Sequence, residues 1–381
     1  MTSKRKNKKI TRKSSSSNKR NTHHTRKRKG GSAFASGGYG CIFTPALKCV
    51  SGNNYNYDSK KVSKLMLTEY ANREYYEVNR IKNILKNVPN YEKYFLLDNT
   101  NICKPAPLSG EDLENFTSKC TSLQSRHNIT IDNVNQSLDK LRIINMPNGG
   151  TTINEMVGIS DPEGLLKIHR SLIQLLENGI IPMNKLNVYH CDVKDTNILI
   201  NSAYESLLID WGFAFIKKTS SIPKMLKKRP FQFNLPFSVI LFSDEFKNMR
   251  INLTDKIQAE DIVRTYKEKK GHYEYINKMI CAIKNETDLV KGESQYTFPL
   301  VVDYIYNIIS RFSVNGVFDA LNYYNNEFIY NVDIWGFIVT YLPLVKKNDA
   351  FRVLFENHIF KSGAINLNSL RVDLERLSKG V

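Results

Sequence analysis

Beyond residue 40 the apolar positions fall into short runs separated by turn-forming residues, and the pattern changes near residue 150. Residues 41–43 and 61–66 are apolar stretches divided by Pro45 and the Gly52-Asn53-Asn54 cluster, as expected for strands of a small twisted sheet. From about 69 to 85 the period lengthens: Tyr70, Val78, Ile81, Ile84 and Leu85 recur at helical spacing, and Pro89 lies just past the end. One helix is therefore expected beside the sheet. Residues 141–146 read as a further strand, closed by Pro147, Asn148, Gly149 and Gly150. Ser160 and Glu163 bracket Asp161-Pro162 in capping-box order and open a helix through Leu165, Ile168, Leu172 and Leu176 to a stop at Asn178-Gly179. The longest apolar run, 334–345, is interrupted by Thr340 and Pro343. It is shorter than the roughly 20 residues of a bilayer span and reads as a buried helix. The pattern predicts an α+β protein of two lobes, a β-rich N-terminal lobe over 31–150 and a mostly helical C-terminal lobe over 151–381.

Charge changes the picture at one end only. Thirteen of the 55 Lys and Arg residues lie within positions 1–30, which hold no acid, so the other 351 residues carry 42 basic against 37 acidic groups. Of the formal charge of +18, only +5 belongs to the body. The tail has one large aliphatic residue, Ile10, and a run from Ser14 to Ser17, so it is expected to be disordered. It also lacks the apolar stretch of a secretory signal. Such a tail contacts phosphate backbones non-specifically or serves as a nuclear import signal. His23-His24 within it reads as incidental. The six cysteines are scattered with no C-x-x-C, and are expected to be reduced thiols in a cytosolic or nuclear setting.

The richest chemistry lies in His190-Cys191-Asp192-Val193-Lys194-Asp195-Thr196-Asn197, followed by Ile198-Leu199-Ile200 and by Ile209-Asp210-Trp211-Gly212. Moving a phosphoryl group from ATP needs a carboxylate to orient or deprotonate the acceptor hydroxyl, oxygen ligands for magnesium, and a cation near the transferred phosphate. Asp192, Asn197, Asp210 and Lys194 supply all of these on a loop between strands. Their spacing resembles the protein kinase catalytic loop and its metal-binding Asp-Phe-Gly.

That resemblance assigns expectations to the rest of the chain. Ala35-Ser36-Gly37-Gly38-Tyr39-Gly40-Cys41-Ile42 is similar to the kinase Gly-rich loop with Ala in the first Gly position, so Ala35, Gly37, Gly38, Tyr39, Gly40 and Ile42 are expected to cover ATP. Lys64 takes the place of the phosphate-binding lysine, with Lys60 and Lys61 as competitors. Glu77 or Glu74 would pair with it, and Glu77 is preferred for its longer separation. The strand 141–146 resembles the hinge: Ile144 is near the gatekeeper, Asn145 and Met146 adjoin adenine, and the Asn145 carbonyl accepts from its amino group. Pro147 offers no N–H. Asp333-Ile334-Trp335-Gly336 resembles the opening of the buried central helix of kinases. Asn234-Leu235-Pro236-Phe237-Ser238 takes the place of Ala-Pro-Glu without the Glu, which leaves the usual pair with an Arg in doubt. Cys191 replaces the Arg of His-Arg-Asp, so switching by an activation-loop phosphate is not expected. Residues 243–332 form an insertion with helical character over 262–283 and 299–312, with no function assigned.

The tail, the Gly-rich loop, Asn90-Tyr91-Glu92-Lys93-Tyr94-Phe95 and residues 234–242 together resemble the divergent serine/threonine protein kinases of large DNA viruses. The resemblance implies a bilobal kinase fold, transfer of the ATP γ-phosphate to protein Ser or Thr, Mg2+ or Mn2+ held by Asn197 and Asp210, and catalysis by Asp192, Lys194 and Asn197. It also implies a monomer with protein substrates, no membrane span, and a place in the host cytoplasm, the nucleus or a virus particle. Two other readings compete. A small-molecule kinase of the aminoglycoside or choline type shares His-x-Asp, Asn and Ile-Asp-Trp, but Lys194 and Gly212 favour the protein kinase. A pseudokinase scaffold would normally have lost Asp192, Asp210 or Lys64.

Overall fold

A computed structural model describes residues 32–37, 40–50, 60–247, 256–269, 271–287 and 292–380. The expected disorder of the tail, Gly38, Tyr39 and the Gly52-Asn53-Asn54 turn lie outside the described residues. The fold is mixed α+β, with helix at 54% and strand at 14%, so strands occur only in small antiparallel sheets and helices carry most of the core.

The largest sheet has five strands: β1 (Ser32–Gly37), β2 (Gly40–Thr44), β3 (Lys61–Leu67), β4 (Asn101–Cys103) and β5 (Leu141–Pro147), in the antiparallel order β1-β2-β3-β5-β4. Because side chains alternate along a strand, the register sorts this sheet into two chemistries. Ile42, Lys64 and Ile144 lie opposite one another on one face, whereas Cys41, Leu65 and Ile143 share the other. Residues 104–140, which the periodicity left unassigned, cover that second face. Phe116, Cys120, Leu123, Ile129 and Val134 join Cys41, Phe43, Leu65 and Ile143 in one buried cluster.

Four cysteines depart from the expectation of free thiols. Cys41 is bonded to Cys120 and Cys49 to Cys103, with Cα atoms 5.0 and 5.8 Å apart. Sequence separations of 79 and 54 give no motif. The covering segment brings Cys120 to Cys41, and antiparallel pairing of residues 48–50 with 104–106 brings Cys49 to Cys103. Cys191 and Cys281 remain thiols.

Helix α1 (Thr68–Leu85) follows β3 directly and buries Ala71, Ile81 and Leu85. The helix Pro162–Leu175 is capped by Asp161, whose carboxylate accepts from Gly164 N at 2.8 Å. Ser160 instead donates back to the Met156 carbonyl of a preceding helix, Ile153–Ile159. Asn178-Gly179 does not end the chain's helical course. A π turn over Leu176–Ile180 passes into Ile181–Lys185, and Gly179 sits where a Cβ would lie 3.0 Å from that of Tyr94. That glycine serves a close approach, not a cap.

The insertion is helical, as expected, but residues 262–283 split between Lys256–Lys267 and Tyr273–Lys284, followed by Thr297–Arg311. All three helices feed the same large apolar cluster as Pro162–Leu175 and the helix Ile329–Val339. Every residue of Ile329–Val339 except Tyr330 is buried. The surrounding stretch Ala320–Val345 is long and apolar enough to cross a membrane, with an 18-residue window of mean hydropathy 1.5, but 89% of that window is buried inside the protein. It reads as core helix, so no clear membrane span is present among the described residues.

Candidate active site

The lysine on β3 faces two carboxylates. Lys64 Nζ lies 2.7 and 2.8 Å from the Glu74 oxygens and 3.7 Å from Asp210 Oδ1. Burial alone disfavours the ammonium, but Asp210 and Glu74 outweigh it and raise its pKa above the ordinary 10.5. The same lysine holds the Asp210 carboxyl below its usual range. Glu77, the preferred partner in the sequence reading, is bound instead to Arg80 at 2.7 Å. Three residues along a helix is a rotation of about 300°, enough to move Glu77 from the sheet side toward solvent. The longer separation chosen as the criterion is therefore the wrong one.

The second half of the site is built on two short strands. Ile198–Ile200 and Ser206–Leu208 pair with each other, and Ile209 N donates to the Asn197 carbonyl at 2.9 Å, which sets Asp210 beside Asn197. Asp192 is the hub. Its Oδ2 accepts from Lys194 Nζ and Asn197 Nδ2, each at 2.8 Å, and its Oδ1 accepts from Asn234 Nδ2 at 2.9 Å. Asn197 Nδ2 also donates to the Asp192 carbonyl at 2.8 Å. The amide thus uses both hydrogens on Asp192, and its Oδ1 is left for a cation.

The loop is held from beneath by a carboxylate with no solvent exposure. Asp333 accepts from His190 N at 2.9 Å, Cys191 N at 2.8 Å and Asn184 Nδ2 at 2.8 Å. Burial raises its pKa despite these donors. Cys191 has φ +56°, an uncommon conformation for a non-glycine residue. It is fixed at both ends, its N–H on Asp333 and its carbonyl accepting from Arg229 at 3.1 Å. Arg229 itself lies over the Phe213 ring at 3.8 Å. His190 is kept neutral by burial, its pKa lowered. Its Nε2 donates to the Ile209 carbonyl at 3.0 Å, which leaves Nδ1 to accept from Asp192 N at 3.3 Å. Gly336 lets the helix Ile329–Val339 approach this loop, since a Cβ there would sit 2.5 Å from the Val193 carbonyl.

The residues that the resemblance assigns to ATP are placed less evenly. Ala35 pairs with Ile42 and Gly37 with Gly40 across β1 and β2, and Ile42 lies opposite Lys64. A Cβ on Gly40 would meet the Leu65 carbonyl at 2.2 Å, so this glycine is demanded by sheet packing as well as by any loop. Met146 lies opposite Val62. The expectation for Asn145 needs correction. Asn148 N donates to the Lys60 carbonyl at 2.7 Å. Alternation along an antiparallel ladder then turns the peptide groups of residues 144 and 146 toward β3 and those of Asn145 toward Asn101 on β4. Its carbonyl does not open toward the cleft, and its side chain contacts Ser63 and the Cys49 sulfur on the opposite face.

No protein-family model matches the chain, and no curated protein matches it. The geometry therefore carries the functional reading. Sequence reasoning missed Asn234, Asn184 and Arg229, and left Asp333 as a fold marker without a role. Asn234 opens the Asn-Leu-Pro-Phe-Ser segment, whose likeness to Ala-Pro-Glu gives the asparagine no role. Outside that segment, the buried Glu327 carboxylate is held by the partly exposed Arg311 through two contacts of 2.6 and 2.9 Å.

Proposed function

We propose that the chain is a serine/threonine protein kinase of two lobes that transfers the ATP γ-phosphate to protein hydroxyls. The observation that carries this is the convergence of Lys64, Glu74 and Asp210 with the Asp192–Lys194–Asn197 loop. Two stretches more than a hundred residues apart, one carrying Lys64 and Glu74 and the other Asp192 to Asp210, meet in one unit of chemistry, a cation facing two carboxylates beside a carboxylate held by three donors.

Residue roles follow from the contacts. Asp192, fixed in rotamer by its three donors, orients the acceptor hydroxyl and takes its proton. Lys194, 24% exposed and reaching across Asp192, neutralises charge on the phosphate in transfer. Lys64, fixed by Glu74, faces the nucleotide phosphates. Ile42 and the β1–β2 backbone lie on the same sheet face as Lys64, where a nucleotide would be covered.

The residues present fit a divalent ion. Asp210, with a side chain 44% exposed, offers carboxylate oxygens and Asn197 its amide oxygen. Among the described residues no cluster of three His, Cys, Asp or Glu side chains could hold a metal unaided. A one-carboxylate, one-amide site suits Mg2+, which keeps waters and takes phosphate oxygens as further ligands. When bound, the ion supplies charge neutralisation on the triphosphate.

The test is phosphate transfer from labelled ATP to basic and acidic protein substrates, and separately to small aminoalcohols. Wild type is expected to label proteins, with Asp192→Ala and Lys64→Met at background. Nucleotide binding with no transfer above those variants would make the chain a scaffold. Transfer to aminoalcohols alone would make it a small-molecule kinase.

A further inference from the structure

Away from Lys64 and Asp192, a cleft of about 710 Å³ opens between the turn around Lys93, the helix Pro162–Leu175 and the loop leading into Ser206–Leu208. Its hydrogen-bonding capacity is lopsided. Lys93, Lys167 and Arg170 line it, and among the described residues neither Lys93 nor Arg170 has an acid within ion-pairing distance. Lys167 is shared with Glu163 at 2.7 Å. Gln174 has its Oε1 occupied by Asn178 Nδ2 at 2.7 Å, which leaves its NH2 to donate. At the floor, Ser171 and Ser206 share one hydrogen bond of 2.7 Å, so one hydroxyl hydrogen of the pair is not used between them. The single carboxylate in the lining, Glu205, accepts from Asn201 Nδ2 at 2.8 Å. Apart from Glu205, the charged side chains lining the cleft are cationic, and two of the three have no acid partner among the described residues.

We infer that this cleft docks an anionic segment of a protein, one bearing Glu and Asp side chains or phosphorylated serines. Charge and donor complementarity select the anion. The volume exceeds what a lone phosphate fills and suits several side chains of a peptide. Its walls belong to three separate chain segments, so a bound peptide ties them together. One of these walls bears on the proposed site: Leu208 N donates to the Tyr94 carbonyl at 2.8 Å and Leu96 N to the Leu208 carbonyl at 3.2 Å, two residues before Asp210. Phe95 packs edge-on against Trp211, with ring centroids 5.5 Å apart. The docking reading does not depend on the proposed phosphoryl transfer, since its readout is binding.

The test is fluorescence anisotropy with the full-length chain and labelled short peptides, one Glu-rich, one phosphoserine-bearing and one neutral. Both anionic peptides are expected to bind and the neutral one to fail. Whichever anionic peptide binds more tightly identifies the source of the charge. Lys93→Glu with Arg170→Glu is expected to weaken binding at least about tenfold, with an unchanged melting curve. Lys347→Glu with Lys361→Glu makes the same change of net charge elsewhere and is expected to leave binding intact. Equal weakening by both pairs overturns the inference, because the basic tail or net charge would then account for the binding. Displacement of the peptide by excess MgATP also overturns it, as does failure of both anionic peptides to bind. The same holds if the Lys93 and Arg170 variant loses a single-stranded oligonucleotide but keeps the peptides.

Discussion

Asn234 Nδ2 donates to Asp192 Oδ1 at 2.9 Å, the oxygen that Lys194 and Asn197 leave free, and takes one of its two lone pairs so that the other stays open to an acceptor hydroxyl. Asn234 is 1% exposed and its Oδ1 has no hydrogen-bond partner, so a buried polar atom is left unpaired next to the candidate base. The contact spans 42 residues and couples the segment after Arg229 to the loop that carries Asp192. A hydrogen bond to a charged group contributes about 1.5–3 kcal/mol, or roughly 10–100-fold in rate if it is felt in the transition state. Asn234→Ala is expected to lower kcat within that range and to leave KM for ATP unchanged. An unchanged kcat at normal expression and melting temperature would show that Asp192 is positioned without it.

The two glutamates of α1 give a sharper contrast. Glu74 is bidentate on Lys64, whose side chain is 10% exposed, whereas Glu77 sits with Arg80 in partly exposed surroundings. Removing one member of a buried pair strands the other charge, a loss of several kcal/mol, while an exposed i,i+3 pair contributes a few tenths. Glu74→Gln is expected to lower kcat/KM for ATP at least about tenfold, and Glu77→Gln to change it by less than about twofold. Steady-state kinetics on the two variants decides it. Equal losses would place the functional pair elsewhere.

The cysteine pairing is open to direct counting. Without reductant, the denatured protein is expected to expose two thiols, Cys191 and Cys281, and after reduction six. Loss of a cross-link closing a loop of 79 residues costs about 2–5 kcal/mol, so Cys41→Ser with Cys120→Ser should lower the melting temperature by roughly 5–10 °C. Six thiols before reduction would restore the sequence expectation of free cysteines.

The chemistry of the candidate site was more legible in the sequence than the scaffolding around it, and the reason is distance along the chain. Asp192, Lys194, Asn197 and Asp210 lie within nineteen residues, joined by two short strands, so spacing alone suggested that they meet. Lys64 was legible because its strand carries a clear apolar pattern. Glu74 against Glu77 was not, since both satisfy the same spacing rule and only the angle at which α1 leaves β3 separates them. Asn234, Asn184 and Asp333 act through contacts spanning 42 and 149 residues, which no local pattern encodes. The covering segment 104–140 failed for a different reason. Its helices are only four and seven residues long, too short to show a period, and its stability comes from Phe116, Leu123 and the Cys120 bond to the sheet.

A pH dependence follows from a histidine outside the candidate site. His169 has no solvent exposure, with Nδ1 3.1 Å from Tyr341 Oη and Nε2 3.0 Å from the Leu374 carbonyl. Burial pushes its pKa from 6.5 to about 4, only partly opposed by the Leu374 carbonyl. A neutral ring satisfies both contacts if Nε2 donates to Leu374 and Nδ1 accepts from the tyrosine hydroxyl. Between pH 6.5 and 4 the unfolded chain therefore binds a proton that the folded chain does not. The stability contributed by the neutral ring is fully present above pH 6.5 and declines as pH falls through this window, and the loss reaches about 3 kcal/mol at the lower end. Melting curves of wild type should fall off between pH 6.5 and 4, and His169→Gln, which keeps a donor and an acceptor but does not titrate, should flatten that slope while lowering stability at pH 7. An unaltered slope in the variant would mean that other groups carry the acid sensitivity, His190 and His358 foremost, since both are also held below the ordinary histidine value by burial.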